Sequence, residues 1–159
     1  LLSDFMALVA PTINSYTRLV PGLWAPTNNS WGIDNRTCSL RVIPGSPSSQ
    51  RVEYRLGSAD SNPYLSMAAA LASGLWGIEN KVEPGPPVHG NSYQNETNGL
   101  EDLPQTLHDS VTALKKSEPA RLYLGSDFVD HYSATREWEI AEYRRQVTDW
   151  QMNRYFEII

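Results

Sequence analysis

Apolar positions recur along the chain in two periods, one helical and one alternating. Leu1, Phe5, Leu8 and Val9 follow helical spacing up to Pro11, which predicts a first helix over residues 1–10. Residues 12–34 keep no period. They contain Pro21-Gly22, Pro26 and Asn28-Asn29, yet also Tyr16, Leu19, Val20, Leu23, Trp24 and Trp31. A loop of this length inside a compact domain is uncommon and often functional. Residues 36–43, which contain β-branched and apolar residues, and residues 51–56 read as strands and flank the turn sequence Pro44–Gln50, which predicts a β-hairpin.

Asn62 then precedes Pro63, a helix N-cap followed by proline at the first helical position. The Ala-rich helix this opens is predicted to reach about Lys81. It is apolar nearly all round, so it is expected to be buried, with Gly74 and Gly77 at points of close packing. Residues 83–104 read as loop, being rich in Pro, Gly and Asn. An amphipathic helix over 104–117 runs through Leu107, Val111 and Leu114, and a short helical piece over 120–124 stops at Gly125. Ser126 is expected to cap a last long helix to about Phe156, with Phe128, Val129, Tyr132, Trp138 and Tyr143 on its inner face. An antiparallel hairpin packed with several helices is an α+β fold.

The 159 residues fit one domain, and 40% apolar content supports a core. The single cysteine, Cys38, excludes a disulfide-stapled scaffold and favours a reducing, cytoplasmic setting. It reads as a buried filler rather than a nucleophile. No run has the length of a membrane span and no basic start marks a signal peptide, so no membrane partner is expected. The first residue is not Met, and the chain is expected to be a piece of a longer polypeptide.

Charge is unevenly spread within a net −5. Residues 1–55 hold five Arg, no Lys, and only Asp4, Asp34 and Glu53 as acids; the remainder holds eight basic groups against fifteen acidic ones. Arginine without lysine points to forked contacts with planar oxyanions, and three acids do not pair five arginines one to one. Nucleic acid is excluded as a partner by the acidic whole and the lack of a basic stripe.

The sharpest constellation is Arg51-x-Glu53-x-Arg55. On a strand these three share one face, while Val52, Tyr54 and Leu56 are expected to face the core. Two readings stand level: a solvated cross-strand charge ladder, or a carboxylate holding a divalent cation between arginines that hold phosphate oxygens. Arg36 and Arg41 are five apart, so a regular strand sends them to opposite sides. They meet at one site only if the strand bulges or Arg36 precedes its regular part. With Arg18 in the long loop, several Arg and one Glu around a polyanion match what phosphoryl transfer needs. His89, His108 and His131 fit no zinc spacing. Asn28, Asn35 and Asn95 stand in Asn-x-Ser/Thr patterns that matter only in a secreted chain. Neither a Walker loop nor a dinucleotide glycine pattern is present.

Asn14-Ser-Tyr-Thr-Arg18-Leu-Val-Pro-Gly22, Asn35-Arg36 to Arg41, Arg51-Val-Glu53-Tyr-Arg55, Ala59-Asp-Ser-Asn-Pro-Tyr64 and Gly77-Ile-Glu-Asn-Lys81 resemble the glutamine synthetase family in order and spacing. Leu103-Pro104 and Phe128 to Tyr132 are also similar. The resemblance covers the C-terminal portion of the family's catalytic domain, so residues 1–159 are expected to lack the N-terminal β-grasp domain and the upstream Glu and His ligands. It implies part of an ATP-dependent carbon–nitrogen ligase that joins the γ-carboxylate of glutamate to ammonia or an amine through a γ-glutamyl phosphate. By the same resemblance, Arg18 would hold the glutamate carboxylate and Arg36 the ATP phosphate and the transferring group. Arg41 and Arg51 would hold ATP phosphates, Glu53 would bind Mg²⁺ or Mn²⁺, and Arg55 would bind glutamate and the phosphorylated intermediate. A ring-shaped homo-oligomer is implied for the parent, and no activity for the isolated stretch.

The flap departs from the family. It commonly reads Pro-Gly-Tyr-Glu-Ala-Pro and uses its Glu for ammonium, whereas this chain has Pro21-Gly22-Leu23-Trp24-Ala25-Pro26. Trp24 carries no charge, which is better tolerated with a larger amine, as in γ-glutamylputrescine or γ-glutamylpolyamine synthetases. Ser48 stands where some members have a nucleotide-binding Lys, and Tyr93 is a faint match to a regulatory tyrosine. The alternatives are a plain glutamine synthetase with a variant flap and a non-catalytic, lengsin-type structural protein. The retained Arg/Glu set favours an enzyme.

Overall fold

The computed structural model describes residues 1–94 and 100–158, so Asn95 of the last Asn-x-Thr pattern, with Asn98 and Gly99 of the predicted loop, lies outside the described residues. Helix α1 (Leu2–Val9) forms where the spacing predicts, but it is buried on every side. Phe5, Met6, Ala7, Leu8, Val9 and Ala10 are each 0–1% exposed. A helix this enclosed must satisfy its last carbonyls inside the protein. The hydroxyls of Tyr132 and Tyr16 donate to the Ala7 and Ala10 carbonyls at 2.8 and 2.9 Å. The Ser58 N–H donates to the Val9 carbonyl at 2.9 Å.

The long irregular stretch opens with a 3-10 turn (Ile13–Tyr16) capped by Thr12 and closes on a strand the sequence did not announce, β1 (Trp31–Ile33). Strands β2 (Leu40–Ile43) and β3 (Arg51–Tyr54) form the predicted antiparallel hairpin, with Arg41 opposite Glu53. β1 lies parallel to β2, Trp31 beside Leu40. The return between them, residues 34–39, is far shorter than the dozen or so residues a parallel connection usually needs. It is also why the predicted strand over 36–43 begins only at Leu40. The Asn35 side-chain oxygen accepts the Thr37 N–H at 3.0 Å and the Thr37 hydroxyl at 2.7 Å, a local turn that competes with the ladder. Cys38 is fully buried, as expected of a filler.

Helix α2 (Pro63–Glu79) starts on the Asn62 cap, whose side chain accepts the Tyr64 N–H at 2.9 Å. It is not the buried helix its composition predicts. It packs on α1 and on α4 (Glu118–Leu124), and only Ala69 and Ala72 are buried. The other side carries Tyr64, Met67, Leu71, Leu75 and Ile78, all exposed, because no described element covers it. Gly74 and Gly77 are not close-packing points: a Cβ at either would meet nothing within 4 Å.

Helix α3 (Leu107–Lys116) buries Leu107, Val111 and Leu114 against α1, as its spacing predicts. The predicted last helix is two helices. α5 (Ser126–Arg144) follows Gly125, which holds φ 84 and is itself the N-cap, so Ser126 is the first helical residue and not the cap. α6 (Asp149–Tyr155) restarts on a capping box in which Thr148 and Gln151 bond reciprocally. Val129, Ser133 and Ile140 form the buried stripe of α5, with Phe128 and Tyr132 packed beside it. Trp138 falls off that stripe and is 64% exposed, and Tyr143 is half exposed.

On β3, Leu56 just beyond the strand is fully buried and Tyr54 partly so, but Val52 is 61% exposed. The alternation therefore holds only toward the end that meets the core. The same contrast sets an expectation for stability. Leu114→Ala should cost ~2–5 kcal/mol, the range for a fully buried leucine, whereas Val52→Ala should stay within ~0.5 kcal/mol. Urea unfolding of the two variants checks this; equal losses would contradict the one-sided burial.

Candidate active site

The hairpin register builds the site. Arg41 and Glu53 are cross-strand partners, and Arg55 follows Glu53 by two, so all three project from one face. Glu53 Oε2 accepts Arg41 Nη1 at 2.9 Å and Oε1 accepts Arg55 Nη1 at 2.5 Å. Arg36 reaches the same place because it sits in the return before β2 rather than within the strand. Together with Trp24 these residues line one cavity of about 400 Å³. Three guanidiniums thus surround one carboxylate, and Arg36 makes no hydrogen bond to another described residue.

The arginines are held with care. Arg55 Nη2 donates to the Trp24 carbonyl at 2.8 Å, tying the flap to the strand, and its Nε is buried without an acceptor among the described residues. Arg18 lies behind the cavity. Its Nη2 donates to the carbonyls of Arg55, Leu56 and Gly57 at 2.9, 3.1 and 3.2 Å. Its Nε is likewise buried without a described acceptor. Burial, then the Arg55 charge, lowers the pKa of Arg18. Arg51 is apart from the group. It is exposed at the far end of β3, opposite Ile43, and donates to the Ser49 carbonyl at 3.2 Å.

Two contributors were not singled out from the sequence. Asp34 accepts Arg41 Nε at 2.9 Å, so Arg41 bridges Asp34 and Glu53. Its signal was an acid two residues before Arg36. Tyr93, noted only as a faint motif match, donates its hydroxyl to the Ala25 carbonyl at 2.7 Å and so braces the flap. No sequence pattern announces a contact between residues so far apart.

A divalent cation fits this donor set in one way. Glu53 offers a single carboxylate whose oxygens each keep a lone pair beyond the arginine bonds, and anionic oxygens held by the arginines would complete the coordination. The cavity can therefore hold a polyanion with its counter-ion, but it is not a protein-only metal cage.

Burial pushes the Glu53 carboxyl up, but the bonds and charges of Arg41 and Arg55 outweigh it and hold the group below its ordinary value. Asp34 is held low chiefly by its hydrogen bond to Arg41.

The sequence profile of the glutamine synthetase catalytic domain matches residues 1–155. Over its whole length the chain is 50% identical to a protein named type-1 glutamine synthetase 2 of Dictyostelium discoideum, of which it covers 31%. It is 42% identical, again over 100% of its length, to glutamate–isopropylamine ligase of a Pseudomonas species, of which it covers 35%. It also resembles a solved GmaS/ADP complex, with a TM-score of 0.84 at 33% identity, over 98% of this chain and 36% of the other. The chain spans about a third of the length of the relatives it matches.

The depressed carboxyls carry a pH consequence. A group whose folded pKa lies below its unfolded value stabilises the fold above the unfolded value, and that contribution is lost as pH falls through the folded one. The Asp34–Arg41–Glu53–Arg55 network should therefore be intact at neutral pH and come apart only below ~4. In a ¹³C NMR titration the Glu53 carboxyl is expected to titrate below ~4.3, the ordinary glutamate value, and Arg41→Leu should raise its midpoint. A midpoint at or above the ordinary value would show that the arginines do not engage Glu53 in solution.

Proposed function

Because the chain belongs to the glutamine synthetase family, we propose that it forms the C-terminal portion of the catalytic domain of an ATP-dependent ligase that joins the γ-carboxylate of glutamate to ammonia or an amine. The observation that carries this reading is the convergence of Arg36, Arg41 and Arg55 with Glu53 on one cavity. The names of its relatives support it: one is a glutamate–isopropylamine ligase, and the structural neighbour was solved with ADP.

In this reading a γ-carboxylate oxygen of glutamate attacks the γ-phosphorus of ATP. The bond to the β-phosphate oxygen breaks, releasing ADP and leaving an acyl phosphate. The nitrogen nucleophile then attacks the acyl carbon and gives up a proton, and the carbon–oxygen bond breaks with its electron pair leaving on phosphate. Both transition states spread negative charge over oxygens, which fixed guanidiniums stabilise. Arg36, which makes no hydrogen bond to another described residue, is placed to follow the transferring phosphoryl group. Arg41 holds nucleotide phosphates from the strand, and Arg51 does so from the exposed end of β3. Arg55, held in place by Glu53 and the flap, presents its guanidinium charge to glutamate and the acyl phosphate. Arg18, which braces the backbone of residues 55–57, takes the glutamate carboxylate in this reading by the family resemblance alone. Mg²⁺ or Mn²⁺ held by Glu53 and phosphate oxygens would neutralise phosphate charge.

The test is glutamate-dependent ADP release by the full-length polypeptide that carries this chain. Glu53→Ala should lower kcat/KM for every nitrogen acceptor by at least ~100-fold, since it disturbs phosphoryl transfer itself. The 159-residue chain alone should show no turnover, because one carboxylate does not complete a divalent-ion site. A full-length protein that releases no ADP with any acceptor, or a Glu53→Ala variant with undiminished turnover, would overturn the reading.

A further inference from the structure

Beside the arginine cluster lies a second and larger cavity of about 540 Å³, which shares Trp24 and Arg36 with the first. Its apolar wall is made by Ile33, Val88 and Tyr93, and Asp34, Asn35, Thr37, His89 and Asn91 add polar lining. Trp24 and Asp34 hold φ of 57° and 49°, a left-handed backbone that residues with side chains rarely adopt. Such residues gather at binding sites, where the surrounding structure keeps them in place. Here that support is visible. Arg55 and Tyr93 hold the Trp24 and Ala25 carbonyls from opposite sides. The Asn35 amide donates to the Val88 and Gly90 carbonyls at 3.1 and 2.8 Å, and the Val88 N–H to the Trp31 carbonyl at 2.8 Å. The cavity is preformed rather than a gap between loose loops.

Resting on the ligase reading above, we propose that this cavity receives the carbon portion of the nitrogen nucleophile, and that the nucleophile is a primary monoamine with a short apolar body rather than ammonia or a diamine. Size argues against ammonia, which is no larger than a water molecule and would leave the cavity unused. Wall chemistry argues for carbon. Each methylene moved from water onto apolar surface is worth about fourfold in affinity, so three carbons are worth about sixtyfold.

Charge argues against a second ammonium. Asp34 is the one acid among the described lining residues, and it is already engaged by Arg41. Arg36 presents a like charge to the same space. The exposed ring of Trp24 offers a cation only a weak π contact. The shared Trp24–Arg36 boundary fixes the orientation: the amine nitrogen lies toward the arginine cluster, where the acyl phosphate forms, and the carbon body points away from it.

The test compares kcat/KM for ammonia, isopropylamine and 1,4-diaminobutane in the full-length polypeptide carrying this chain. Isopropylamine should exceed each of the others at least tenfold. Val88→Trp fills the cavity, and Trp24→Glu replaces an exposed apolar wall with a carboxylate. Each should lower the isopropylamine-to-ammonia ratio at least tenfold, and Trp24→Glu should also raise the diamine relative to isopropylamine. If ammonia or the diamine is preferred by the wild type, or the ratio stays within twofold in Trp24→Glu, the cavity assignment fails while the ligase reading stands. If the folded protein transfers glutamate to no acceptor at all, both fail together.

Discussion

The structure hangs on the C-terminal end of α1. A helix with six successive residues at 0–1% exposure cannot hand its last carbonyls to water, and each needs a donor from elsewhere in the chain. Those donors come from distant segments: Tyr16 in the long loop, Ser58 just after β3, and Tyr132 on α5. Arg136 on α5 adds a bond to the Pro11 carbonyl at 2.9 Å. Satisfying one buried helix end thus fixes where the loop, the sheet and α5 stand relative to one another.

The candidate site inherits its position from this constraint. Ser58 anchors the segment after β3 to α1, and Arg18 grips the carbonyls of residues 55–57 immediately before it. Arg55 leaves that anchored backbone and points to Glu53 and the flap. Glu53 is the electrostatic centre. Without it Arg41 and Arg55 would repel one another, and with it they are held close, while Arg36 makes no hydrogen bond to another described residue. The surplus of positive charge that results is the property a phosphate-handling site requires.

Apolar surface is distributed in two ways that have different consequences. Around α1 it is enclosed and sets stability. On α2 and at the flap it is exposed: Tyr64, Leu71 and Ile78 on one side of the helix, Leu23 and Trp24 beside the arginine cluster. At the flap, the Trp24 ring stands as an apolar wall next to fixed cations, on the boundary between the two cavities. Strained backbone at Trp24 and Asp34 is sustained there because hydrogen bonds from Arg55, Tyr93 and Asn35 hold its surroundings.

Local chemistry made much of this legible in the sequence. The Asn62-Pro63 start, the amphipathic α3 and the hairpin follow from capping, period and turn residues, which act over a few positions. Alternation on β3 brought Glu53 and Arg55 to one face, and the surplus of arginine marked an anion site. Three things were decided only in three dimensions. Arg36 joins Arg41 because the Asn35 turn delays the start of β2 to Leu40, a competition between a side chain and a ladder that spacing does not resolve. Asp34 and Tyr93 enter the site through contacts with residues brought near by the fold. Burial of α2 failed as an expectation because composition records how apolar a helix is, whereas exposure depends on which elements pack against it. α1 and α4 cover one side of α2, and no described element covers the other.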